Sequence, residues 1–108
     1  MGQKGKLKIK YHPKVKSEDI PRLNSNITVR IENAIRNRLM VNPIKYGFYL
    51  RGTLSGYRKL RVGDWRIIYR IVDKEIRIIA ISSVIPAKLV LDLIGERESS
   101  YILNCYKD

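Results

Sequence analysis

The stretch from Leu54 to Ile71, LSGYRKLRVGDWRIIYRI, constrains what this chain can fold into more than any other. It sets two strand-like runs on either side of Gly63-Asp64, and Gly63 can supply the positive φ that a two-residue hairpin turn needs. Counting outward from that turn predicts the register: Val62 opposite Trp65, Arg61 opposite Arg66, and Leu60 opposite Ile67. Successive side chains of a strand point to opposite faces. Leu60, Val62, Trp65, Ile67, Tyr69 and Ile71 therefore share an apolar face, while Lys59, Arg61, Arg66 and Arg70 share a cationic one. Two residues break the alternation, Arg58 on the apolar side and Ile68 on the cationic side.

Setting Arg61 directly against Arg66 costs roughly 0.2–1 kcal/mol of cross-strand repulsion. A phosphate held between them would relieve it, since guanidinium forks match phosphate oxygens two at a time. The plainer alternative is that both side chains splay into water at little cost. The rest of the chain leans toward an anionic partner: 22 residues are Lys or Arg against 10 Asp or Glu, a formal net charge of +12 on 108 residues. Nucleic acid ranks ahead of an anionic membrane surface, because the basic residues are spread along the chain and concentrate on strands instead of lining one amphipathic helix.

Residues 1–108 read as a single domain, long enough to bury roughly two-thirds of the surface its unfolded chain would expose, so no metal or disulfide staple is required. The one cysteine, Cys105, cannot form an internal disulfide. The chain opens without the apolar core of a signal peptide and has no apolar run long enough to span a bilayer, so the expected location is cytoplasmic, with no membrane partner. His12 is the one histidine, and no cluster of Cys, His and carboxylate stands at metal-ligand spacing; neither a metal nor a cofactor is expected.

Taken in order, Lys8 to Tyr11 alternates as a first strand ending at His12-Pro13, with His12 capping it at the surface. Pro13 to Leu23 has Val15, Ile20 and Leu23 at inward positions of a helix that Pro21 interrupts. Asn24-Ser25-Asn26 offers N-caps for a helix from about Ile27 to Met40, whose stripe is Ile27, Ile31, Ala34, Ile35 and Leu39. Its Arg30, Arg36 and Arg38 lie off that stripe and read as a solvated face. Asn42-Pro43 ends it. IKYGFYLRGT leads into the hairpin as a loop or irregular strand, Asp73-Lys74 makes a second tight turn, and Ile76 to Ile81 forms a further strand. In the tail, Pro86 as first residue and Gly95 as stop frame a short helix, AKLVLDLI, followed by a loop GERES and a turn around Tyr101 to Tyr106; a fifth strand through Leu89, Val90, Leu91 and Leu93 is the competing reading. The expected fold is α+β: a twisted antiparallel sheet of about four strands, with two N-terminal helices packed on it and a short C-terminal helix.

The run LRGTLSGYRKLRVGDWRIIYRI resembles the central segment of the RelE/ParE toxin superfamily of type II toxin-antitoxin systems. The likeness runs upstream through NPIKYGFYLRG and YHPKV and covers most of residues 8 to 81. It is carried by spacing: L-x-G, a following G, and R-x-G-x-[YW]-R-x-x-Y in order. For a RelE-like member it implies cleavage of mRNA in the ribosomal A site without metal, inhibition of translation, and an acidic antitoxin protein as partner beside ribosome and mRNA.

The family's basic strand residues fall on Lys59, Arg61 and Arg66, the cluster that the register selects independently. Such cleavage attacks the phosphate with the neighbouring ribose 2′-OH, which calls for a base, stabilisation of charge on the phosphate and an acid for the leaving oxygen. With no histidine in this stretch, Lys59 is the candidate base, Arg66 stabilises charge, and Arg61 positions the substrate. Arg58 and Arg70 are candidate RNA contacts. RelE-like toxins usually follow the last strand with a basic turn and then a tyrosine or histidine; this chain has Ser82-Ser83-Val84-Ile85-Pro86 there, and Arg97 and Tyr101 of GERESSY are the candidate substitutes. That departure keeps an alternative open, a non-cleaving relative that binds RNA and antitoxin or a ParE-like inhibitor of DNA gyrase.

Overall fold

Gly63 adopts φ +61 while Asp64 does not turn positive, the pattern of a type II′ turn, and the hairpin closes in the expected register. The computed structural model describes residues 7–49, 56–83 and 87–97. Strand β1 (Lys8–Tyr11) leads into a π-helical turn (Val15–Asp19) and a 3-10 turn (Ile20–Arg22). Helix α1 (Ser25–Ala34) runs on through a second π-helical turn (Ile35–Leu39), and a single-turn helix α2 (Pro43–Tyr46) follows. Then come β2 (Phe48–Tyr49), β3 (Tyr57–Val62), β4 (Trp65–Val72), β5 (Glu75–Ser83) and helix α3 (Ala87–Arg97).

Local chemistry explains most of these boundaries. The Asn24 side chain accepts from the Ile27 backbone N–H at 2.9 Å and so caps α1, and Pro21 confines the preceding segment to short turns. Asn42 accepts from Lys45 N–H at 3.0 Å, with Pro43 at the first helical position, so the dipeptide that ends one helix starts the next. Asp73 takes φ 57 at the second tight turn, a conformation that aspartate tolerates better than most residues.

The sheet order is β1-β5-β4-β3-β2, antiparallel except for β1, which pairs parallel with β5. The α+β architecture is the expected one, with helices before the sheet and a short helix after it. The sheet is mixed because the strand that opens the domain reaches β5 only after the helices have crossed one face. There Ile31, Ala34, Ile35 and Leu39 pack on Leu60, Val62, Ile67, Tyr69, Ile76, Ile78 and Ile81. A second, smaller cluster on the opposite face joins Ile68, Ile79 and Ala80 to Ile94 of α3. Ile68, out of place on a purely cationic face, is buried beneath that helix.

A β-bulge serves both cores. Ile68 pairs with Ala80 but Tyr69 pairs with Ile78, so Ile79 is the extra residue. Core positions facing the N-terminal helices accordingly switch from even numbers, Ile76 and Ile78, to an odd one, Ile81, while Ile79 and Ala80 both serve the second cluster.

Beyond Tyr11 strand β1 no longer covers the edge of β5, and a buried ion pair does so instead. Asp19 receives two hydrogen bonds from Arg97, at 2.7 and 2.9 Å; its Oδ2 also accepts from Ile81 N–H at 2.8 Å, and Arg97 donates to the Ile79 carbonyl at 3.0 Å. His12 completes the junction: its Nδ1 accepts from Lys14 N–H at 3.1 Å, which leaves Nε2 to donate to the Arg97 carbonyl at 2.8 Å. His12 is thus buried, not the surface cap expected from the sequence. The same contacts correct the expected stop at Gly95, since α3 continues through it to Arg97, where the side chain is tied down.

Candidate functional site

Lys59, Arg61 and Arg66 come together on the hairpin face away from the N-terminal helices. Arg61 and Arg66 are direct cross-strand partners, which puts their Cβ atoms about 5 Å apart, and Lys59, paired with Ile68, is the diagonal neighbour of Arg66 at about 7–8 Å. Arg61 is exposed, and Lys59 and Arg66 are half-buried. Arg61 Nε donates to the Gly63 carbonyl at 3.1 Å, which fixes the stem of the side chain along the turn. Arg66 Nε is buried and has no hydrogen-bond partner among the described residues. A buried donor without an acceptor costs about 1–3 kcal/mol, so an anionic oxygen arriving there would be welcome. No carboxylate forms an ion pair with this cluster among the described residues: Asp64 stands in the turn, Glu75 pairs with Arg77 at 2.7 Å, and Asp19 is taken by Arg97.

The other sequence candidates take different places. Arg58 is buried on the core side, 6% exposed, where it hydrogen-bonds the Tyr69 phenol, and Tyr69 donates onward to the Pro43 carbonyl at 2.6 Å. Burial pushes the Tyr69 hydroxyl up to about 12, with Arg58 opposing. Arg58 is a structural cation, a correction to its expected RNA contact: alternation turns it inward, and a phenol receives it there. Arg70 lies at the far end of β4 with its guanidinium 5.3 Å from the Tyr57 ring centroid, separated from Arg66 by Ile68 and its apolar cluster. Arg97, 2% exposed and held by Asp19, is likewise an anchor of α3 and not a group free to meet substrate. Tyr101 lies outside the described residues.

Two hollows adjoin the cluster. Ser82 of β5 pairs directly with Arg66 of β4 and lines one of ≈ 340 Å³ with Arg22, Trp65 and Asp19. The other, ≈ 280 Å³, lies between α1 and the hairpin turn, lined by Arg30, Asn33, Asn37, Arg38 and Arg61. Reading the helix arginines as a solvated face missed this second hollow. Arg30, Ala34 and Arg38 recur at intervals of four, a helix row with a small residue at its centre, and that spacing was the available signal.

A search of curated proteins finds no match. Among solved structures, the chain is similar to the toxin-antitoxin complex RelBE2 of Mycobacterium tuberculosis, with a TM-score of 0.67, 22% identity, and coverage of 72% of this chain and 98% of that one. It is similar to an archaeal RelE-RelB complex from Pyrococcus horikoshii OT3, with a TM-score of 0.59, 26% identity, and coverage of 72% and 94%. It is also similar to an Escherichia coli RelE mutant bound to an antitoxin RelBc peptide, with a TM-score of 0.61, 16% identity, and coverage of 81% and 93%. Residues 9–88 match the model of the ParE toxin of the type II toxin-antitoxin system parDE, a span that takes in the hairpin, all five strands but the first residue of β1, and the N-terminal helices. The chain belongs to the ParE toxin family, the RelE/ParE toxins of type II toxin-antitoxin systems.

Proposed function

We propose that this toxin is a ribosome-dependent mRNA endoribonuclease that halts translation in the cytoplasm and is held inactive by a cognate acidic antitoxin. The observation that carries the reading is the Arg61–Arg66 cross-strand pair beside Lys59, a cationic triangle with a buried, unanswered donor at Arg66 Nε. Phosphate is the ligand that fits two facing guanidiniums. The antitoxin follows from the relatives, which are solved as RelB complexes, and from a net charge of +12.

In this reaction the 2′-oxygen of one nucleotide attacks the adjacent phosphorus, the bond from phosphorus to the 5′-oxygen breaks, and a 2′,3′-cyclic phosphate and a 5′-hydroxyl result. Lys59 takes the 2′ proton, Arg66 faces the charge that builds on the phosphoryl oxygens, and Arg61 holds the strand. Tyr101 is the candidate acid for the leaving oxygen. Induction in cells with and without Arg66→Ala, reading translation and transcript ends, tests the assignment. The substitution should relieve toxicity and remove the new ends; undiminished toxicity would sink the mechanism.

A second reading has its own support. Strand β5 ends on Ser82 and Ser83 where a RelE-like toxin would lead into a basic turn, and Arg97 is consumed by Asp19, which favours a protein that binds RNA and antitoxin without cutting, or one that inhibits DNA gyrase. A supercoiling assay with purified gyrase separates the gyrase route, and intact mRNA on programmed ribosomes at high toxin concentration would favour the non-cutting one.

A further inference from the structure

The geometry points to a second RNA-binding site, in the groove between helix α1 and the hairpin turn, that holds backbone phosphates of a single strand through Arg30 and Arg38. It rests on the proposed function only in taking RNA as the ligand, and neither arginine belongs to the triangle of Lys59, Arg61 and Arg66.

The groove arises from a helix row. Arg30 and Arg38 flank Ala34, which is buried against the sheet, so the floor between them is low, and eight residues, the second half of them in the π-helical turn, separate the two cations by up to ~12 Å along the axis. A single phosphate group cannot reach across that distance, so each arginine would meet a different phosphate of the strand. The far wall is the turn, and glycine there matters twice. Gly63 reverses the chain at φ +61, and a Cβ at that position would stand 3.2 Å from an Arg30 terminal nitrogen, so the bare backbone lets the guanidinium lie against the turn. The carbonyl of the same residue holds Arg61. One turn residue therefore sets the position of two of the three cations.

Three features make the ligand a nucleic acid strand in preference to an acidic protein segment. The lining pairs the arginines with Asn33 and Asn37, side chains that donate to phosphate and sugar oxygens, and it contains no carboxylate. Its apolar members, Ala34 and Val62, are buried in the core, so the groove lacks the apolar anchor around which protein interfaces form. Of the exposed large apolar side chains among the described residues, Val41, Ile44 and Tyr46 lie past the end of this helix, and Val29 lies on α1 but does not line the groove. Arg61 lines the groove and also faces Arg66, so the cationic path from the proposed cleavage site continues over the turn onto the helix.

The experiment measures binding of the full-length protein to a short mixed-sequence single-stranded RNA by fluorescence anisotropy across a salt series. Arg30→Gln with Arg38→Gln should weaken binding about tenfold or more at low salt and flatten the plot of log affinity against log salt by about 1.4, some 0.7 for each phosphate no longer neutralised. Arg36→Gln, on the same helix but outside the groove, should change the slope by less than half as much. Unchanged affinity and slope in the double variant would overturn the inference. So would an equal loss with Arg36→Gln, which would mean diffuse attraction, or a larger loss for poly-L-glutamate than for RNA, which would mean an acidic-peptide site. Both arginines are exposed, and a matching thermal melt confirms folding. If Arg66→Ala abolishes cleavage while the Arg30/Arg38 variant binds and cuts as the parent does, this inference fails and the proposed function stands; the reverse pattern leaves the groove and removes the nuclease.

Discussion

Arg97 and Arg66 are both drawn out of full contact with water, one at the open edge of β5 and the other on the hairpin, and they are supplied with counter-charge very differently. Arg97 has Asp19 at 2.7 Å, a second bond to it at 2.9 Å and the Ile79 carbonyl at 3.0 Å, with only its Nε unpartnered among the described residues. Arg66 has another arginine across the ladder, and its own Nε goes unanswered. The contrast separates two uses of one side chain. A cation that ties elements together brings its carboxylate with it, here from a position 78 residues earlier, whereas the cation proposed to meet phosphate faces another cation instead.

The largest effect should come from breaking the satisfied site. Asp19→Ala leaves Arg97 buried without its partner and should destabilise the fold by about 3–5 kcal/mol in urea denaturation, while Asp19→Leu combined with Arg97→Met should recover much of that loss. A cost for the single change below about 1 kcal/mol would mean that the pair does not hold α3. At the open site the expectation is inverted: Arg66→Ala should leave stability within about 0.5 kcal/mol, or raise it slightly as the repulsion goes, while cutting the cleavage rate about 10²–10³-fold. A clear loss of stability on that substitution would put Arg66 in the same class as Arg97.

Tyr69 sharpens the comparison from the core side of the same strand, since it is the acceptor that makes Arg58 a structural cation. Tyr69→Phe should cost about 1–3 kcal/mol by removing the link to Pro43 and the hydroxyl that Arg58 hydrogen-bonds. The pH dependence has a definite sign. Burial raises the folded-state value from 10.0 to about 12, so folded protein holds the phenolic proton more tightly than the unfolded chain; that contribution is whole below pH 10.0 and is lost as pH climbs to about 12. The denaturation midpoint of the parent should therefore fall more steeply over that window than that of Tyr69→Phe. Gly63→Ala should have the smallest effect, about 1–2 kcal/mol for forcing a Cβ into φ +61, together with displacement of Arg30.

What could be read in the sequence was local. The hairpin register depended on one glycine and on counting, and α1 on a stripe whose members do lie in the core. Arg58 and Ile68 were visible as exceptions, but their reasons were not: the phenol that takes Arg58 and the helix that covers Ile68 come from other strands and from the tail. The Asp19–Arg97 pair, the burial of His12 and the parallel seating of β1 on β5 join residues distant in the chain, which no periodicity encodes. The bulge at Ile79 was half-legible, since apolar positions change parity between Ile78 and Ile81, yet an unbroken apolar run hides which face each residue serves. The groove at Arg30 and Arg38 was missed for a related reason, because a helix row of arginines gains meaning only when a second element is set against it.

The central claim, that the hairpin face is a phosphate site at which RNA is cut, is met most directly by incubating the purified toxin with ribosomes programmed with a defined mRNA and mapping the ends produced. The account predicts cleavage within the A-site codon, a 2′,3′-cyclic phosphate on the upstream fragment, and loss of both with Arg66→Ala and with Lys59→Met. Intact mRNA at high toxin concentration, or cleavage that survives both substitutions, would contradict it.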